Sequence, residues 1–230
     1  MGAMLNVLLS LAITAPLLAG ALSPEASKAV ASVAAAYEQV EAEQSKLPPT
    51  TNDRERLERL AELDQAGRTA FQGPAWSAVP KNELAETRKA AFEIITKYDL
   101  ADQAALKSMM PPDGWFRMSK YGQKANLAAF LIVQHAVNDP GLMRSTLTKM
   151  QPLIALGEVR GADYALLYDR VALEFDHKQQ RYGSQIGCRD GHPQPHDLED
   201  PAHVDERRKA IGFKDTEAEY LQNFQNMRCG

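Results

Sequence analysis

The chain opens without charge. Its first 22 residues, MGAMLNVLLSLAITAPLLAGAL, contain no Asp, Glu, Lys or Arg, and the apolar run closes on the small residues Ala19, Gly20 and Ala21. That pattern is a secretory signal peptide with a cleavage site near Ala21, which makes residues 1–21 a targeting segment and the remainder a secreted or periplasmic protein. Lys and Arg are missing from the n-region too, which leaves only the α-amine as positive charge, so an uncleaved N-terminal anchor stands as the alternative. Ala21 occupies the place a lipidated cysteine would need, which argues against a lipoprotein.

Long apolar runs are lacking later in the chain. Residues 127–137 reach only about half of the roughly 20 residues a spanning helix needs, so no membrane span is expected after signal cleavage. Cysteine is scarce: only Cys188 and Cys229 are present. In an oxidising compartment they can close one bridge, and spacing does not decide between that bridge and two separate thiols. A basic excess is absent, because 26 Lys and Arg face 30 Asp and Glu for a net charge of -4. No broad basic surface is available for nucleic acid. The sequence also lacks a G-x-S-x-G elbow, a P-loop, a G-x-G-x-x-G fingerprint and an H-E-x-x-H pair. Hydrolase, nucleotide, dinucleotide and zincin readings therefore miss their mechanical parts, and no cofactor is called for.

What the chain has is helix. With 44% hydrophobic residues in 230, it can bury a core. Periodicity and caps predict helices over 24–46, 53–68, 81–98, 100–110, 120–138, 142–156 and 162–175, followed by two short helical segments after Pro201. Asp190-Gly191 predicts a turn within a small β-hairpin near residues 180–196. The expected fold is mainly α: a helical bundle over 81–230, carrying that hairpin and preceded by a helical arm over 22–80. The first hundred residues show no chemical motif.

Three polar insertions interrupt the apolar helices. In LIVQHAVNDP, His135 and Asp139 stand four apart and so are expected on one helical face, with Gln134 about 100° round from His135. A carboxylate beside a partly buried imidazole suits a general acid or base, or two metal ligands. Equally, His135 can be a hydrogen-bonded core residue while Asp139 caps the helix that starts at Pro140. In YALLYDRVALEF, Asp169 and Arg170 sit mid-helix among apolar neighbours, where each charge needs a partner from another element. They are either a structural ion pair or a cavity pair, with Arg170 binding an anion and Asp169 orienting it or His135. In QQRYGSQ, Arg181, Tyr182 and Gln185 can close over a ligand, or pack and satisfy backbone.

Cys188, His192, His196 and His203 give C-x3-H-x3-H-x6-H, but Pro193, Pro195 and Pro201 make the geometry irregular, so no metal site is assigned. VDERR reads as a solvated helical face or a salt-bridge clasp on the hairpin, with Arg207 or Arg208 as conceivable partners of Asp169.

Taken in order, GWF at 114–116, FLIVQHA-x-x-DP at 130–140, ALLYDRV at 165–171, QRYGSQ at 180–185 and VDERR followed by Gly212 resemble an uncharacterised bacterial family. That family is a domain of unknown function found in exported and cytosolic proteins. Ser184 departs from the Thr common at its position, and keeps the hydroxyl. The resemblance implies no reaction. It does imply that the segment before residue 110 is the more variable part.

The leading expectation is an exported helical protein with a polar site for a small molecule or peptide, hydrolysis being one chemistry open to it. In that site His135 is the acid or base, Asp139 or Asp169 orients it, and Gln134, Arg170, Arg181, Tyr182 and Gln185 hold the ligand. Its rival is a structural or protein-interaction module of the cell envelope, meeting its partner through the N-terminal arm. A metal-dependent helical enzyme built on His135, Asp139 and unassigned ligands is the third reading.

Overall fold

A computed structural model describes residues 22–227 and 229; the expected signal peptide lies outside them. Helix α1 (Pro24–Gln44) starts where Ser23 accepts the amide of Ala26 and Pro24 fills a position whose N–H would be unpaired anyway. Ala26, Ala29, Val33 and Tyr37 recur at three- and four-residue intervals and form its buried stripe. Asn52 caps α2 (Asp53–Phe71) by accepting the amide of Glu55, and α1 packs along α2. Gly67 of α2 makes this packing close: a Cβ there would stand 2.3 Å from the Tyr37 ring.

After two short 3-10 turns, α3 (Leu84–Met109) runs as one helix. The sequence predicts a division at residue 99, between helices over 81–98 and 100–110, and the acids Asp99 and Asp102 lie at that place. Both are buried, so the acidic positions mark a polar interface inside the fold and not a helix end.

Trp115 and Phe116 follow, both fully enclosed, and anchor the larger of two cores. Helices α4 (Met118–Gln134), α5 (Pro140–Ile154) and α6 (Gly161–Glu174) supply most of it, with Leu57 of α2 and Leu106 of α3 completing it. The smaller core joins α1, the 3-10 turn at Trp76 and α3. The N-terminal helices therefore lie against the rest of the bundle: α2 packs on α4 as well as on α1.

The hairpin forms with β1 (Ile186–Arg189) antiparallel to β2 (His192–Pro195). Asp190 and Gly191 both take positive φ, 52° and 78°, as a two-residue turn of this hand requires. Helices α7 (Val204–Ala210) and α8 (Glu217–Leu221) complete the mainly helical fold. Cys188 and Cys229 form a disulfide with Cα atoms 5.5 Å apart, tying β1 to the C-terminal segment. Among the described residues, no helix is long and apolar enough to cross a membrane.

Candidate functional site

Helix α4 ends at Gln134, four residues short of its expected end, and His135 is its C-cap. The residue before Pro140 is pushed out of helical geometry, and Asp139 becomes the N-cap of α5, accepting the amide of Leu142. His135 and Asp139 therefore do not share a helical face. Asp139 instead accepts from Lys107 at 2.6 Å, and that ion pair with the Leu142 amide holds its carboxyl below the usual carboxylate range.

The carboxylate that meets His135 is Asp64, from α2. His135 Nδ1 lies 2.8 and 2.9 Å from the two Asp64 oxygens. The Asp64 side chain is 1% exposed and that of His135 is 16% exposed, so the acid is sealed while the imidazole reaches the surface. Burial pushes the Asp64 carboxyl up, but the hydrogen bond and charge of His135, with the Arg68 guanidinium, outweigh it and hold the carboxyl low. Arg68 reaches on to Asp99 at 2.8 and 2.9 Å. Asp102 completes the group without a cation of its own: burial, with Asp64 and Asp99 nearby, pushes its carboxyl up to about 7. Its Oδ2 and the hydroxyl of Tyr37 are buried with no hydrogen-bond partner among the described residues.

None of Asp64, Arg68, Asp99 and Asp102 was a candidate from motifs, yet the pattern carries a signal. Leu57, Leu60, Asp64 and Gly67 follow one stripe of α2, as Ile95, Asp99, Asp102 and Leu106 do on α3. An acid occupying an apolar stripe position is the same clue that singles out Asp169.

Asp169 does not approach His135. Its carboxylate accepts the amides of Arg181 at 2.7 Å, Tyr182 at 3.1 Å and Ser184 at 3.0 Å, and the Ser184 hydroxyl at 2.9 Å. Gly183, with φ of 65°, lets the chain curl so that these donors point one way. The carbonyls of the same loop are held from the other side. Arg207 donates to Arg181 O, the fully buried Arg208 to Tyr182 O, and Tyr220 to Ser184 O. Arg207 and Arg208 thus bind the loop that Asp169 binds, and make no ion pair with Asp169 itself. The motifs ALLYDRV, QRYGSQ and VDERR are three parts of one clamp.

Arg170 faces the other way. It donates to Gln134 O at 2.9 Å and to Gln185 Oε1 at 3.2 and 3.3 Å, bridging the end of α4 to the clamped loop. Among the described residues no carboxylate pairs with this guanidinium, whose pKa is lowered by burial. Beside it, the carboxamide oxygen of Gln134 is buried without a partner while its nitrogen reaches Leu166 O at 3.4 Å. Gln185 also donates to Leu166 O, Tyr182 stands edge-on to Tyr168, and Arg181 pairs with Glu199.

The structure thus brings Gln134, Asp169, Arg170, Arg181, Tyr182 and Gln185 around one loop, with His135 next in chain to Gln134 but turned to Asp64. Asp139 stands apart. Of the zinc-like residues, Cys188 is in the disulfide, His196 lies over Gly187 and His203 pairs with Asp200. No curated protein and no solved structure matches the chain. A family described as of unknown function, DUF6624, matches residues 52–228, from the cap of α2 through the whole clamp. Because that match takes in most of the sequence, the chain belongs to the DUF6624 family.

Proposed function

We propose that this chain is an exported ligand-binding protein whose site, centred on His135 with Arg170 nearby, can move a proton. One observation carries the reading: a sealed carboxylate grips His135 Nδ1, and Nε2 has no hydrogen-bond partner among the described residues. A carboxylate on Nδ1 fixes the tautomer whose Nε2 lone pair is free, and stabilises the imidazolium once Nε2 takes a proton. Asp64 is therefore the orienting acid, in the place the sequence pattern suggested for Asp139 or Asp169. Arg170, which makes no salt bridge among the described residues although the Glu174 charge lies within its reach, suits an anionic group on the ligand. Activation of water by Nε2 makes hydrolysis the reaction class most open to the site. Asp169 acts at one remove, fixing the loop whose Gln185 holds Arg170.

Two features favour export: the charge-free first 22 residues, and a disulfide of the kind that persists in oxidising compartments. The test is a panel of chromogenic carboxyl and phosphate esters with wild type, His135→Asn and Asp64→Asn, each checked for native near-ultraviolet circular dichroism. Turnover lost in the folded His135→Asn protein and reduced in Asp64→Asn supports the reading. If wild type turns over nothing and no anionic ligand raises its Tm, the rival structural module takes its place.

A further inference from the structure

A cavity of about 620 Å³ lies on the far side of α6 from the Arg170 bridge and is not lined by His135. It is a groove between α5 and α6. One face of α5 lines it at Arg144, Leu147, Thr148 and Gln151, and one face of α6 at Tyr164, Tyr168, Val171 and Ala172. The turn after α6 closes one end. His177 adopts φ of 51° there, a left-handed conformation uncommon for a residue with a side chain, and the Lys178 amide folds back onto Ala172 O at 2.8 Å. That strain sets Lys178 and Gln179 at the mouth of the groove.

The chemistry of the wall is specific. Its two carboxylates are already engaged, Asp176 by Arg144 and Glu199 by Arg181. What remains uncommitted is mostly neutral and hydrogen-bonding: the hydroxyls of Tyr164 and Tyr168 and the carboxamides of Gln151 and Gln179 make no hydrogen bond to the described residues. The two tyrosine rings stand 6.0 Å apart at the groove wall. Its volume falls in the range that encloses a compact organic ligand.

We infer that this groove binds a short saccharide of one or two sugar units. The partly exposed Tyr168 ring offers apolar area to the C–H face of a pyranose, backed by the buried Tyr164, while the hydroxyls, and amides that both donate and accept, match its hydroxyl rim. An extended peptide is served less well: the walls are helices whose backbone groups are spent internally, so there is no strand edge to extend. A peptide helix would need a larger apolar floor than Leu147, Val171 and Ala172 provide.

The test is saturation-transfer NMR on the full chain with N-acetylglucosamine, chitobiose, cellobiose and maltose, and with trialanine as the peptide probe. The expected result is saturation transfer to at least one sugar. Binding should weaken about tenfold in Tyr168→Ala, the order of an aromatic contact with its buried area. Gln179→Ala, at an exposed position whose loss leaves the fold intact, should also weaken it, while His135→Asn leaves it unchanged. No transfer to any sugar, transfer indifferent to Gln179→Ala, or transfer to trialanine alone would overturn the inference.

Discussion

Asp64 and His135 lie 71 residues apart in sequence and meet at 2.8 Å, joining α2 to the end of α4. This contact ties the N-terminal helices to the end of α4. Replacing Asp64 by Ala removes the acceptor for His135 and leaves Arg68 with Asp99 as its remaining carboxylate partner, and should cost about 3 kcal/mol in urea unfolding at pH 7. The sign with pH follows from the depressed carboxyl of Asp64. Its contribution is fully present above the ordinary carboxylate pKa and is lost as pH falls through the lower folded value. The gap between wild type and the variant should therefore narrow as unfolding is repeated at progressively more acid pH. A gap that stays constant down to acid denaturation would mean the Asp64 charge contributes nothing.

Asp102 should behave in the opposite sense. Its carboxyl is pushed up to about 7, and it lies buried beside Asp64 and Asp99 without a cation of its own. A raised folded pKa contributes stability below the unfolded value, and that contribution is lost as pH rises through the folded one. Asp102→Asn should thus be more stable than wild type at pH 8, by on the order of 2 kcal/mol, and close to it at pH 4. Tm measured across that range checks both ends. Equal slopes for the two proteins would rule out a buried acid titrating there.

Much of the bundle was legible because apolar periodicity and caps are local. Ser23, Asn52 and Asp139 act as caps, and Asp190-Gly191 turns the hairpin as its dipeptide requires. The break expected at residue 99 does not form: Asp99 and Asp102 lie inside the fold, and partners from another helix are not visible among neighbours in sequence. Likewise His135 was given to Asp139 because four-residue spacing is visible in a string, while a partner from another helix is not. The polar insertion at Asp169 and Arg170 did point to long-range partners. Which partners these were depended on the curl at Gly183, a property of backbone dihedrals that no spacing rule conveys.

The clamp on the 181–184 loop gives a local prediction. Asp169→Asn keeps the size of the side chain but sets an NH2 group against amides that need an acceptor. The loss should be on the order of 3 kcal/mol, since several donors to one charge are left short. Hydrogen exchange should show lost protection at Arg181, Tyr182 and Ser184 before the helical core opens. Ser184→Ala removes only the hydroxyl contact and should cost about 1 kcal/mol, whereas Ser184→Thr keeps it. Protection unchanged in Asp169→Asn would mean that Arg207, Arg208 and Tyr220 suffice to hold the loop.

The disulfide starts within β1 and closes a loop of 41 residues in sequence separation that contains β2, α7 and α8. Restricting the unfolded chain over that length is worth about 4 kcal/mol in the chain-entropy account. Reduction, or Cys188→Ser, should lower Tm by that measure. The folded state should lose little else, because Arg208 still binds Tyr182 O and Asp215, and stacks on Phe213 at 4.1 Å. The C-terminal segment after α8 is tied back by the bridge at Cys229, so it should become the first site of proteolytic nicking in the reduced protein. A Tm indifferent to reductant, with cleavage unchanged, would show that the bridge does not constrain the chain. If instead reduction unfolds the hairpin and the Asp169 loop together, the bridge supports the clamp, and the two must be counted as one cooperative unit.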